Sequence, residues 1–247
     1  MELLVILGVV AATVITVVAV RRYFQRRGAV RMLLAERGWS SVRDGEATVI
    51  TPHDNSWVLR MTQSFAAQQT GSTRIVTTTW SAPSPRSADG AVIVGPTPPE
   101  PMRELAVQLI GSIPPNGKFG GWLGLAHVGK GEPLRHLTSV DARLLALSTG
   151  HPGQLGSLSG VAAAVESWTT SYSSERAQPA ITFDGEGVRV RVRVGVLKSV
   201  DQLVAFVDLG HSCASSLATD ARGCSPARGA PRAWSPGCCF TDGVTAF

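Results

Sequence analysis

The chain has 247 residues, 44% of them hydrophobic, and a formal charge of +5. That is enough for a membrane anchor plus one domain of roughly 175 residues with a sizeable core. The basic balance does not point to nucleic acid, because six of the arginines crowd beside one apolar segment near the N-terminus. All four cysteines lie in the last 35 residues, so a disulfide framework for the body is excluded. Their spacings, with no His after Cys213, also do not fit a cysteine-based zinc site.

Leu3 to Val20 is an 18-residue run without a charge. As a helix it spans about 27 Å, against a hydrocarbon core of roughly 30 Å. Its polar groups are Thr13 and Thr16, whose hydroxyls can bond back to carbonyls one turn earlier. A cleaved leader would want a basic start and a shorter apolar stretch ending in small residues. Here Met1-Glu2 precedes the run and arginines end it, so residues 1–20 are expected to be a retained transmembrane anchor.

The C-terminal flank carries Arg21, Arg22, Arg26, Arg27, Arg31 and Arg37, and the N-terminal flank has no Lys or Arg. The positive-inside rule then places the N-terminus outside and the body in the cytoplasm, in a single pass of the plasma membrane. Arg21, Arg22, Arg26 and Arg27 are candidate contacts for anionic lipid headgroups. The helix is expected to run on through a basic juxtamembrane segment, residues 21–38. Val30, Leu33 and Leu34 form its apolar stripe and Gly38 its stop.

Residues 39–213 read as an α+β domain of mixed helices and antiparallel sheet, with a candidate inner boundary at 111–121. Thr48–Ile50, Trp57–Met61 and Thr73–Trp80 have strand character. Thr51–Ser56 is a turn, and Gly71 supports a hairpin. Ala82–Gly90 is a loop and Ala91–Val94 a short buried strand. A helix is expected from Met102 to Ile110, and another from Ser139 to Leu147 with Ser139 as its N-cap. Leu158–Trp168 is a third.

Ile181–Phe183, Asp184–Gly187 and Val188–Val196 read as a β-hairpin. Ser199–Gln202 is a capping box opening a helix to about Leu217, with Leu203, Val204, Phe206 and Val207 as its apolar face. From about Ala214 the composition turns to Ala, Arg, Gly, Pro, Ser and Cys without period, and residues 214–247 read as a disordered tail.

Three motifs imitate catalytic machinery. Gly210-His211-Ser212-Cys213-Ala214 has the look of a hydrolase nucleophile elbow, but that fold needs a later His, and none follows His211. Gly124–Lys130 has phosphate-loop spacing, but Gly131 stands where a Ser or Thr must serve magnesium. His53, His127, His136, His151 and His211 show no metal-ligand pairing. No metal or cofactor is expected. The five tryptophans of the body, spread without a pattern, read as core or rim residues.

Val188–Val194 alternates strictly, so the valines face a core while Arg189, Arg191 and Arg193 share the other face. Three aligned guanidiniums repel unless acids or a ligand offset them. They form a second candidate contact for acidic headgroups.

The layout resembles a group of uncharacterised actinobacterial proteins with one N-terminal membrane anchor, an arginine-rich junction and an Arg-Gly-Trp start, here Arg37-Gly38-Trp39. The likeness extends to a terminal module of helices, hairpin and last helix at Leu137–Leu209, and the tail after Cys213 departs from it. The high Arg-to-Lys ratio, 20 to 3, agrees with a GC-rich source. The resemblance implies no activity and no site residues.

The expected function is therefore a non-catalytic binding or accessory module at the inner membrane face. Its expected partners are the bilayer, anionic headgroups or a membrane protein, and no nucleic acid. The alternative is a membrane-tethered enzyme of unrecognised class, with a pocket built from loops such as Pro114–Gly121.

Overall fold

The computed structural model describes residues 2–68, 71–83, 91–97, 135–137, 144–149 and 158–218. The architecture is α+β, built on a large antiparallel sheet. The strands are β1 (Trp39–Asp44), β2 (Ala47–Pro52), β3 (Val58–Gln68), β4 (Gly71–Ala82), β5 (Val92–Pro96), β6 (Arg135–His136), β7 (Leu144–Ser148), β8 (Ala180–Asp184) and β9 (Gly187–Val192). They are ordered β1-β2-β3-β4-β9-β8-β5-β7-β6. The helices among the described residues are α1 (Glu2–Glu36), α2 (Leu158–Ser171) and α3 (Val200–Ala218), with short 3-10 turns at Glu175–Ala177 and Val196–Lys198.

Helix α1 is continuous from the apolar run, through the arginines, into the domain. Val30, Leu33 and Leu34 are spaced to share one face, and all three are buried in the common core. The helix ends where the Arg37 and Gly38 amides bond back to Leu33 and Ala35. Gly38 takes φ +65°, a conformation that favours glycine at a helix stop.

Of the apolar run, the described side chains are those of residues 12–18, and every one is exposed, Ile15 at 68%. Thr16 donates back to the Ala12 carbonyl at 2.8 Å, the back-bond to the preceding turn expected of a threonine inside a helix. Among the described residues no helix is long and apolar enough to cross a membrane.

One face of the sheet carries Ile50, Leu59, Trp80, Val190, Val188, Ile181, Val92 and Ala146, all in the core. The amphipathic helices α2 and α3 cover it. Val161, Val165 and Trp168 of α2 meet Leu203, Phe206 and Val207 of α3, with Trp168 5.5 Å from Phe206. Ser199, in extended conformation, precedes α3, and its hydroxyl accepts from the Gln202 amide at 3.4 Å. Leu217, 2% exposed, is part of the core. Ala214–Ala218 therefore belong to the folded body, beyond the boundary at 213 expected from composition. Residues 219–247 lie outside the described residues.

The opposite sheet face differs along its width. At β5 and β7 it is also covered, since Ile93, Leu145 and Leu147 are buried. At β1–β4 and β9 it is half-open and rich in threonine. Past the body, Gln63–Gln68 and Gly71–Val76 pair, among the described residues, only with each other, making a two-stranded arm.

Two further expectations are corrected. The Ser139–Leu147 helix is overturned at its described end, because Leu144–Ser148 is strand β7, paired to β5 and buried at every position. A four-residue apolar run carries no period to tell helix from strand, and burial on both faces of a sheet decided it. The β-hairpin is right, but its second strand stops at Val192 rather than Val196. Strand β1, whose side chains are mostly exposed, carries no such signal in its sequence and was not anticipated. The Met102–Ile110 helix, the boundary at 111–121 and most of the Ala82–Gly90 loop lie outside the described residues.

Candidate functional site

The hairpin β8–β9 puts its valines inward as the alternation requires. Val188, Val190 and Val192 are buried, and the arginines point to the half-open face. Their environments are not alike. Arg189 Nη1 binds Asp184 Oδ2 at 2.7 Å, and its Nη2 binds Glu186. Asp184 Oδ1 also accepts the Glu186 and Gly187 amides, at 2.9 and 3.2 Å. One carboxylate thus closes the turn and neutralises the arginine. The acids that offset Arg189 come from its own hairpin turn.

Arg191 has no such partner among the described residues. Its Nε donates to Thr79 Oγ1 at 3.3 Å, and no carboxylate among the described residues pairs with it. It is half-buried. Burial, and to a lesser degree the charge of Arg189, lowers its pKa below the usual arginine value. Across β4 the register sets Thr79 directly between Arg191 and Arg60. Arg60 Nη1 reaches Asp44 Oδ2 at 3.1 Å, an exposed pair.

Arg193 lies beyond the end of β9, is exposed, and donates its amide to the Arg176 carbonyl at 2.9 Å. The expected row of three arginines on one strand is therefore two. At the junction, Arg21 is exposed on α1. Arg22, Arg26 and Arg27 follow on the same helix, with side chains outside the described residues.

On the core face, sequence reading missed an aromatic cluster. Trp39 meets Trp57 edge-on at 5.0 Å, and Trp57 stacks on Trp80 at 6.5 Å. His211 of α3 packs edge-on against both, at 6.0 and 5.3 Å. Trp80 is fully buried and its Nε1 finds no acceptor among the described residues. Arg37 closes the far side, 6.0 Å from the Trp39 ring. Residues 37 to 211 meet here through sheet pairing and helix packing, which no local spacing encodes.

The nucleophile-elbow imitation dissolves in the same place. Gly210–Ala214 is the middle of α3, with no strand and no sharp turn. Cys213 is buried, and burial pushes its thiol up to about 12, which leaves no thiolate for chemistry. Asp54 plays the turn role expected of it, accepting from the Ser56 amide at 3.1 Å and hydroxyl at 2.8 Å. Those bonds, the amide first, lower its carboxyl pKa.

His127, His151, the Gly124–Gly131 stretch and the Pro114–Gly121 loop lie outside the described residues. Among the described residues no three His, Cys, Asp or Glu come together as a metal site. No protein-family model, curated protein or solved structure matches the chain.

Proposed function

We propose that the chain is a non-catalytic binding or accessory module held at the inner face of the plasma membrane by α1, which crosses once with its N-terminus outside. The observation that carries the reading is the exposure of residues 12–18 on all sides of the helix. Two turns of Val, Ile, Ala and back-bonded Thr have no polar face to offer water, and lipid is the solvent that suits them. The uncharged run extends that composition from Leu3 to Val20, and the arginines begin at Arg21. Arg21, Arg22, Arg26 and Arg27 then lie where anionic headgroups of the cytoplasmic leaflet attract positive charge, each contributing about 1 kcal/mol.

Alkaline phosphatase, active only outside the cytoplasm, tests both parts when fused after Ala218, the end of α3. The fusion is expected in the membrane fraction after a carbonate wash, expressed but inactive. Release by carbonate overturns the anchor. An active, membrane-held fusion overturns the orientation.

A further inference from the structure

Strand β3 and helix α1 leave the body in the same direction. The register sets Trp57 level with Trp39, and the two rings meet there. From that level β3 runs past Met61 into the two-stranded arm, Gln63–Gln68 with Gly71–Val76. Helix α1, followed back from its end at Glu36, comes against the turn Val196–Lys198. That turn sits at the foot of the arm, since a β-carbon built on neighbouring Gly195 lies 3.2 Å from Val76 Cγ1 and 3.4 Å from Met61 Sδ. The arm therefore points along α1 toward its apolar run.

The heights also agree. Phe65 stands eight residues beyond Trp57, which is roughly 26 Å of strand. The same length back from Glu36 is roughly 17 residues of helix, close to the border between Val20 and Arg21.

Phe65 is 70% exposed, a large apolar ring held out on the arm. Arg74 stands directly across from it on β4 and is exposed as well. From Asn55 to Ala88 the chain has three arginines and no acid. An anionic surface repels carboxylates and attracts this composition, and the boundary between headgroups and acyl chains suits a phenyl ring. Among the described residues β2 stops pairing with β3 at Thr62, and β9 stops pairing with β4 at Thr78. The outer backbone edges of the arm then need water or headgroups, so the arm fits the interface and not the hydrocarbon.

We propose that the arm is a second membrane contact, with Phe65 entering the headgroup layer of the cytoplasmic leaflet and Arg74 among the lipid phosphates. The inference rests on the reading of α1 as a membrane anchor. It gives the domain two points of support on the bilayer, which fix its tilt as one anchor does not.

The test places the photoreactive residue benzoylphenylalanine, one variant at a time, at Ile15, Phe65 and His53 of the full-length chain. Each variant is reconstituted in nanodiscs of phosphatidylcholine and phosphatidylglycerol, illuminated, and read for lipid adducts by intact mass. Ile15 reports the anchor. His53, exposed in the turn at the other end of the sheet, reports chance collision. Lipid adducts are expected at positions 15 and 65 and not at 53.

Labelling at 65 no higher than at 53 overturns the arm contact, and the anchor survives that result if 15 is labelled. A labelled 65 with an unlabelled 15 overturns the anchor alone. An adduct of twice the chain mass at 65, in place of lipid, shows a second copy on the ring and overturns the proposal. Should the variant at 65 misfold, the same residue at position 74 reads the same height and decides by the same outcomes.

Discussion

Gly210 and Trp80 are in closer contact than any side chain at position 210 would permit. A β-carbon built on Gly210 lies 2.3 Å from Trp80 Cδ2 and 2.6 Å from Cε2. The backbone of α3 therefore rests directly on the buried indole, and the bare glycine sets how near helix and sheet approach. Gly210→Ala is expected to destabilise the protein by about 1–3 kcal/mol, although alanine is the better helix former. The measurement is urea unfolding in detergent. An unchanged or raised midpoint refutes the contact.

Cys213 predicts an alkaline weakness. Its thiol is pushed up to about 12 in the fold, from 9.0 when free, because burial opposes the thiolate. Between these values the unfolded chain has lost a proton that the folded chain keeps. Stability therefore falls as pH rises from about 9 to about 12, with a slope of at most about 1.4 kcal/mol per unit. In Cys213→Ala that component of the slope is expected to vanish. Equal slopes for the two proteins would count against it. Below pH 9 the native thiol should also resist alkylation.

Asp184 and Glu186 both touch Arg189, yet the two should not matter equally. Asp184 is buried, holds two turn amides and pairs with the guanidinium, whereas Glu186 is exposed. Asp184→Ala is expected to cost about 2–3 kcal/mol, and Glu186→Ala under about 1 kcal/mol. Equal costs would mean that the turn does not depend on its aspartate.

Leu33 tests the joint between α1 and the domain. It is buried with Val30 and Leu34 against the core. Leu33→Ala is expected to lower stability by about 2 kcal/mol or more. Proteolysis between residues 28 and 38 should then quicken. A variant as resistant as the parent would show that the helix end is not docked.

Much of the fold was legible where a local rule had one outcome. Ser199 before Gln202 announced α3, and the valine–arginine alternation announced β9 together with its inward face. Gly38 marked the end of α1. Legibility failed where pairing partners decide. Leu144–Leu147 is as apolar as a helix core and became a strand because β5 and β6 flank it. Trp39–Asp44 is too polar to advertise itself, and β2 pairs with it over its whole length.

The arginine row shows both sides of this. Its direction followed from period two, but its charges did not. Asp184 and Glu186 stand five and three residues before Arg189, so the turn acids were a readable clue to its neutralisation. The hydrogen bond that Arg191 makes goes to Thr79, 112 positions away, and only the folded register shows it.

Helix α1 has one more consequence. It runs unbroken from Glu2 to Glu36, with no proline and with Gly28 as its one glycine between the arginines and the docked stripe. Its two ends are therefore related by helical phase as well as by distance. One residue inserted near Gly28 advances the domain by about 1.5 Å and turns it by about 100° relative to the apolar run. Seven residues add about two turns and bring nearly the same side round again. The face that the domain presents is thus written as a count of residues between Val20 and Val30.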